Sequence, residues 1–178
     1  MNADFKKNHF ELFGLPPAFR IDPVALERSY RELQSQVHPD RFAAGSDAEK
    51  RVSMQWATRA NEAYQTLRDP VKRARYLLSV QGVDTEEETN TAMPAPFLMA
   101  QMEWREEAAA ARAARDGAAL ERLDVSLRSE ERTLLAALEA ALDATHDTAL
   151  GAALVRKLRF IEKLKDEVGD ALALVEDA

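Results

Sequence analysis

The sequence SYRELQSQVHPDRFAAGS, residues 29–46, decides how this chain folds. It begins as an amphipathic helix and breaks off at Pro39, because the residue before a proline is pushed out of the α-helical region. A loop rich in small residues, DRFAAGS, follows the break. The stretch therefore predicts a helix that ends in an exposed His38-Pro39-Asp40 turn and is followed by a second helix.

The residues on either side of that turn predict an antiparallel helix hairpin within a compact domain, residues 1–80. Asp22-Pro23 predicts the start of the first helix, since aspartate caps helices and proline is tolerated at the first helical position. Ser46 or Asp47 is predicted to cap the second helix, and Asp69-Pro70 predicts the start of a shorter third one. Apolar residues at helical spacing mark one face of each helix. They are Leu26, Tyr30, Leu33 and Val37; Val52, Trp56, Ala60, Ala63, Tyr64 and Leu67; and Ala74, Leu77 and Leu78.

The rest of the chain predicts a second helical domain after a linker. Residues 81–93, QGVDTEEETNTAM, are polar and lack helical periodicity, so they are interpreted as the linker. Helices near 94–115, 118–143 and 147–175 have short connections, which favours an antiparallel three-helix bundle over residues 94–178. The expected fold class is all-α. The apolar stripes of the last two helices are Leu120, Leu123, Leu127, Leu134, Leu138 and Leu142, and Leu150, Leu154, Leu158, Ile161, Leu164, Val168, Leu172 and Val175.

Composition and charge exclude several classes of protein. The 178 residues include no cysteine, which removes disulfides, thiolate metal sites and cysteine nucleophiles. No run approaches the roughly 18 apolar residues of a membrane span, and no secretory signal is visible. The absence of cysteine favours a reducing compartment, so we expect a cytoplasmic protein. Lys and Arg outnumber Asp and Glu by 13 to 10 in residues 1–80, whereas acidic residues lead by 21 to 11 afterwards. This asymmetry indicates two modules with different partners and disfavours nucleic acid for the acidic half.

The helix that begins near Phe97 is apolar on two faces. Leu98, Met99 and Met102 lie opposite its core stripe, and Glu106 lies among them. Two interpretations stay open: the second face packs on the other domain, or it binds a partner, for which adaptable methionines are suited. Phe160 lies at the edge of the last helix's stripe, as a boundary core residue does. The core stripe itself comprises Phe97, Ala100, Trp104, Ala108 and Ala111.

The His38-Pro39-Asp40 turn in this N-terminal hairpin resembles a J-domain, the module that activates DnaK-class chaperone ATPases. Five segments across both halves make the chain similar to the HscB family of iron–sulfur co-chaperones. They are FELFGL, LERSYRELQSQVHPDRF, NEAYQTLRDPVKRARYLL, FLMAQMEWREE and RKLRFIEKLK. Such a protein is expected to be an L-shaped co-chaperone without a cofactor, which stimulates an HscA-type ATPase and delivers an IscU-type iron–sulfur scaffold to it.

The resemblance also implies which residues contact each partner. Arg41 stands where many J-domains have lysine, which keeps the charge but changes the hydrogen-bond geometry. The residues implied for the ATPase are His38, Pro39, Asp40, Arg28, Arg31 and Arg41. The residues implied for the scaffold are Leu98, Met99, Met102, Glu103, Glu106 and Phe160.

Two other functions are alternatives to this one. A J-domain protein with a different client would keep the turn without needing Leu98, Met99 and Met102. An enzyme is disfavoured, because the three histidines are scattered and lack nearby carboxylates at metal-ligand spacing. His38 and Asp40 imitate an acid–base pair, but an exposed turn lacks the burial and the orienting third group that such catalysis requires. We therefore expect no catalytic or metal site, and neither a nucleic-acid nor a membrane partner.

Overall fold

The structure, a computed structural model, describes residues 6–42, 44–87 and 93–176, whose regular secondary structure is helical and includes no β-strand. The predicted all-α class is confirmed. The chain divides into two compact units, Met1–Gly82 and Val83–Ala178. The helices of the first unit are α1 (His9–Leu12), α2 (Pro23–Val37), a 3₁₀ helix (Pro39–Phe42), α3 (Asp47–Arg68) and α4 (Pro70–Val80). Those of the second are α5 (Ala95–Ala114), α6 (Gly117–Glu139) with a π-helical turn (Ala140–Ala144), and α7 (Thr148–Glu176).

The helix starts in the first unit follow the predicted caps. Asp22 and Asp69 each accept a hydrogen bond from a backbone N–H in the first turn of α2 and α4. Of the two candidates for α3, Ser46 is the N-cap and Asp47 is the first helical residue. Ser46 and Glu49 bond to each other's backbone N–H, which satisfies two donors that a helix start leaves free.

Helices α2 and α3 form the antiparallel hairpin that the sequence predicts. The Tyr30 hydroxyl donates to Asn61 Oδ1 at 2.6 Å, and the Ser53 hydroxyl donates to the Val37 carbonyl at 2.6 Å. Later residues of α2 thus lie beside earlier residues of α3, which shows that the two helices are antiparallel. The connection between the two helices contains the Pro39–Phe42 3₁₀ helix, where the sequence predicts a loop.

The core of the first unit confirms most of the predicted apolar stripes. The prediction that Val52 belongs to the buried face of its helix is wrong. Its side chain is 40% exposed, and Ser53 is buried at that level of α3. The buried register of α3 passes through Ser53 and Trp56, so Val52 faces outward. A serine fits there because its hydroxyl is hydrogen-bonded to Val37. The buried apolar residues are Phe10, Phe13, Phe19, Leu26, Val37, Trp56, Ala60, Ala63, Leu67, Val71, Ala74, Leu77 and Leu78.

Part of the predicted linker packs within the second unit. Thr85 is 7% exposed, and its carbonyl accepts a hydrogen bond from Arg156 Nη1 of α7 at 2.9 Å. Residues 88–92 of the predicted linker lie outside the described residues.

The second unit packs its helices around the leucine stripes of α6 and α7. Lys165 Nζ of α7 lies 2.5 Å from Glu131 Oε2 of α6. The prediction for Leu150 is wrong: it is 46% exposed, because Gly151 and Ala152 occupy the buried face in the first turn of α7. The buried apolar residues are Phe97, Ala111, Leu120, Leu123, Leu127, Leu134, Leu138, Ala141, Leu142, Ala152, Leu154, Val155, Leu158, Ile161, Leu164, Val168 and Ala171.

Within the described parts of the chain, no helix has the combination of length and hydropathy that crossing a bilayer requires.

Candidate functional site

The His38-Pro39-Asp40 turn projects from the end of the hairpin. Helix α2 ends at Val37, and His38 has extended dihedral angles, φ −57° and ψ 130°, as a residue before proline prefers. The Arg41 N–H donates to the His38 carbonyl at 3.0 Å and closes the turn. The side chains of His38 and Asp40 are 54% and 89% exposed. Two polar side chains are therefore presented to solvent on a short, hydrogen-bonded turn.

The His38 ring is tied to Asp40. The Asp40 N–H donates to His38 Nδ1 at 3.3 Å, which requires that nitrogen to lack a proton. Asp40 Oδ2 lies 3.5 Å from the same nitrogen, so a protonated ring faces a carboxylate instead. Nδ1 accepts a hydrogen bond in the first arrangement and donates one in the second, so only one of them forms at a time. In both, the ring lies against Asp40. The two side chains therefore form one polar unit.

The three arginines implied by the resemblance are exposed. Arg28 and Arg31 share a side of α2, and His38 follows seven residues after Arg31. Arg41 lies beyond the turn and folds back, since its Nη1 donates to the Ser35 carbonyl at 2.9 Å. Ser35 carries one of the carbonyls that the end of α2 leaves without a helical partner, and a cation there suits the helix dipole. The structure thus places the arginines on α2 and beside its C-terminal end.

A buried serine that the sequence did not single out supports the turn. The Ser53 hydroxyl of α3 reaches the carbonyl of Val37, the residue directly before His38. Ser53 is 2% exposed, so water does not compete for this carbonyl. No local signal identifies Ser53, because the contact depends on the register between α2 and α3.

Glu27 was also missed, and it connects Arg31 to α3. Arg31 Nε donates to Glu27 Oε1 at 2.6 Å, and the Tyr64 hydroxyl donates to Glu27 Oε2. The hydrogen bond from Tyr64, followed by that from Arg31, lowers the pKa of the Glu27 carboxyl. The same bond raises the pKa of Tyr64. The Glu27–Arg31 spacing of four was a visible signal for an ion pair, but the contact with Tyr64 was not.

The second surface is the α5 patch, which we define as Leu98, Met99 and Met102. These side chains are 42%, 64% and 69% exposed. Glu103 and Glu106 are exposed on the same helix. Exposure of this kind excludes the patch from the core and leaves an adaptable apolar surface with carboxylates beside it.

Phe160 of α7 packs against two side chains of α5. Its ring meets the Phe97 ring edge-on, with centroids 6.0 Å apart, and the Arg105 guanidinium lies 5.2 Å from its centroid. Leu98, Met102 and Arg105 are four and three residues apart, so they follow one another along a single face of α5. The half-buried Phe160 ring is a boundary residue, as the sequence suggested, and its contact with Arg105 reaches the face of α5 that carries Leu98 and Met102.

The histidine and carboxylate side chains of the described residues form no cluster suited to a metal ion. No group of three or more His, Asp or Glu side chains there is placed to hold a metal ion. His9 stacks on Tyr76 with ring centroids 4.1 Å apart. Burial, followed by the charge of Arg59, lowers the pKa of His9. This histidine packs against an aromatic ring within the first unit.

Two protein-family models match the chain in succession. The model of the DnaJ domain matches residues 8–76. The model described as the HSCB C-terminal oligomerisation domain matches residues 93–169. The exposed turn lies in the first match, and the α5 patch with Phe160 lies in the second.

Curated relatives and solved structures match along almost the whole chain. A co-chaperone protein HscB homolog of Burkholderia multivorans is 56% identical over 174 residues, which cover 98% of this chain and 99% of the relative. One from Aromatoleum aromaticum is 52% identical over 176 residues, with 99% of each covered. The chaperone HscB structure from Vibrio cholerae is 42% identical, with a TM-score of 0.81 over 95% of this chain and 99% of that one. The human co-chaperone HscB structure is 27% identical, with a TM-score of 0.85 over 94% and 83%.

Proposed function

The chain belongs to the HscB family of J-domain co-chaperones, and from this membership we propose that it is a non-enzymatic adaptor between two other proteins. One is an HscA-type ATPase of the DnaK class, whose ATP hydrolysis the adaptor stimulates. The other is an IscU-type iron–sulfur scaffold, which the adaptor delivers to that ATPase. A location in the cytoplasm is part of the proposal, because the partner works where ATP is available.

The observation that carries the proposal is the exposed turn at the end of the hairpin. His38 and Asp40 are presented together, while Ser53 and Arg41 hold the carbonyls at the end of α2. A turn anchored in this way loses little conformational entropy when it binds a partner, because its backbone is already ordered. Arg28 and Arg31 add positive charge along the approach, which suits an acidic surface on the ATPase.

The α5 patch supports the scaffold as the second partner. Three exposed apolar side chains close together on one helix reduce solubility, so they suggest a surface that a partner covers. Two of them are methionines, whose flexible side chains adapt to a partner's shape. Glu103 and Glu106 beside the patch suit a basic rim on the scaffold. Phe160 of α7, which the resemblance assigns to the same partner, packs against Phe97 of α5.

The test is single-turnover ATP hydrolysis by the HscA-type ATPase, with this protein, the scaffold, or both. We expect stimulation by the protein alone and a more than additive stimulation with the scaffold. His38→Gln should abolish both effects, and His146→Gln, which changes an exposed histidine of the second unit, should leave both unchanged. Full activity of His38→Gln contradicts the role of the turn, and stimulation that ignores the scaffold points to a different client.

A further inference from the structure

The Arg31 side chain is tethered although it lies on an exposed face of α2. It is 77% exposed, yet its Nε donates to Glu27 Oε1 at 2.6 Å. An exposed ion pair between residues four apart holds two flexible side chains only weakly. Glu27 therefore needs a second contact if it is to keep Arg31 in one orientation.

Tyr64 of α3 supplies that second contact. Its hydroxyl donates to the other oxygen of Glu27. The Tyr64 ring stacks on Tyr30, with centroids 4.1 Å apart and planes 15° apart, and the Tyr30 hydroxyl donates to Asn61 Oδ1 at 2.6 Å. The carboxylate of Glu27 is thus anchored by Tyr64 of α3, whose ring stacks on Tyr30 of α2.

The guanidinium of Arg31 keeps most of its donors for a partner. The bond to Glu27 uses the Nε–H, and the other four N–H groups lie on the terminal nitrogens. A side chain that is already oriented loses less conformational entropy when it binds. The benefit falls on contacts made by Arg31, because the Arg31 side chain is the one bonded to Glu27.

We propose that Glu27 is a positioning residue which, anchored by Tyr64, presents the terminal nitrogens of Arg31 to an acidic surface of the chaperone ATPase. This inference rests on the proposed function, because only there is Arg31 assigned to the ATPase. Glu27 acts through Arg31 and does not itself contact the partner.

A double-mutant cycle tests the proposal in the full-length protein. The measured quantity is the concentration that gives half-maximal single-turnover stimulation of the HscA-type ATPase. Tyr64→Phe removes the hydroxyl and keeps the ring and the charge, so we expect it to raise this concentration about threefold. Arg31→Ala should also raise it, and Tyr64→Phe should add nothing in the Arg31→Ala background. Glu27→Gln also removes a negative charge, which acts whether or not Arg31 is present. Its effect on the half-maximal concentration is therefore measured in the wild-type and in the Arg31→Ala protein, and the difference between the two is the part that depends on Arg31.

Arg28→Ala is the matched control, because it removes an exposed arginine from the same side of α2. In that background, Tyr64→Phe should keep its full threefold effect. An equal effect of Tyr64→Phe with and without Arg31 would overturn the inference while leaving the proposed function intact. An Arg31→Ala variant with wild-type stimulation would overturn it too. A wild-type protein that does not stimulate the ATPase would overturn both.

The tether has a second readout that needs no partner. We expect the hydrogen-bonded Arg31 Nε–H to give a resolved signal in nitrogen-15 NMR spectra that exchanges more slowly than a free one. Tyr64→Phe and Glu27→Gln should shift this signal and speed its exchange, whereas Arg28→Ala should not. An Nε–H signal that stays unchanged in both variants would contradict the hydrogen-bonded chain of Arg31, Glu27 and Tyr64 on which the proposal rests.

Discussion

At the scale of single residues, His9 links the stability of the N-terminal unit to pH. Its ring is half-buried against Tyr76, and its Nδ1 is buried without a hydrogen-bond partner among the described residues. Burial is the largest cause that lowers the pKa of His9, and the charge of Arg59 acts in the same direction. Glu62 opposes them, but the net direction is downward. The folded state therefore favours the neutral ring.

The expected result is a loss of stability in mild acid. A histidine whose folded pKa lies below its unfolded value of 6.5 contributes its full stability above that pH. Below it, the unfolded chain takes up the proton first, so the free energy of unfolding falls until the pH reaches the folded pKa. His9→Phe keeps a ring against Tyr76 and removes the titration. Urea unfolding between pH 7.5 and 5.5 should show a smaller decrease for His9→Phe, and equal decreases in both proteins would contradict this role of His9.

At the scale of secondary-structure elements, the contact between α3 and the end of α2 is the clearest stability determinant near the turn. Ser53→Ala leaves the Val37 carbonyl buried without its donor, and such a loss costs about 1–3 kcal/mol. Thermal or denaturant unfolding measures this directly. Ser35→Ala is the matched control, because the Ser35 hydroxyl donates to the Glu32 carbonyl on an exposed surface. It should change the free energy of unfolding by less than about 0.5 kcal/mol, and an equal effect of the two substitutions would contradict the argument.

Most helices could be predicted because their ends are encoded locally. An aspartate followed by proline, or a serine cap, needs no information from the rest of the chain. The faces of the helices were less certain. Val52 and Ser53 are adjacent on α3, and hydrophobicity favoured Val52 for the core, although the register of the hairpin buries Ser53. The prediction that Leu150 is buried was wrong for a similar reason. The sequence of α7 alone does not show which side of its first turn packs against the other helices.

The candidate site was predictable where it depends on one segment and not where it joins two. The turn at His38 and the two-sided apolar pattern around Met102 are readable within single helices. The anchoring of Glu27 by Tyr64 joins residues 37 positions apart, and the sequence alone assigned Tyr64 to a core stripe. Such contacts require the relative register of two helices, which periodicity does not determine.

At the scale of the whole molecule, the two candidate surfaces lie in different units with different charge. The turn lies in Met1–Gly82, and the α5 patch lies in Val83–Ala178. Basic residues are in excess in residues 1–80, and acidic residues are in excess in the rest of the chain. A covalent connection between two such surfaces raises the effective concentration of one partner near the other, and no new contact between the partners is needed. The proposed adaptor function therefore predicts that both surfaces must lie on one chain.

A mixing experiment tests this dependence with full-length proteins. His38→Gln should bind the scaffold and fail to stimulate the ATPase, whereas the triple variant Leu98→Ala, Met99→Ala, Met102→Ala should stimulate without synergy. An equimolar mixture should still lack synergy, because the bound scaffold and the working turn are then on separate chains. The matched control replaces the triple variant with wild type, which should restore it. Synergy in the mixture would mean that the two surfaces cooperate between chains. Sedimentation of the mixture would then show whether oligomers, which the description of the matching C-terminal family model names, bring the variants together.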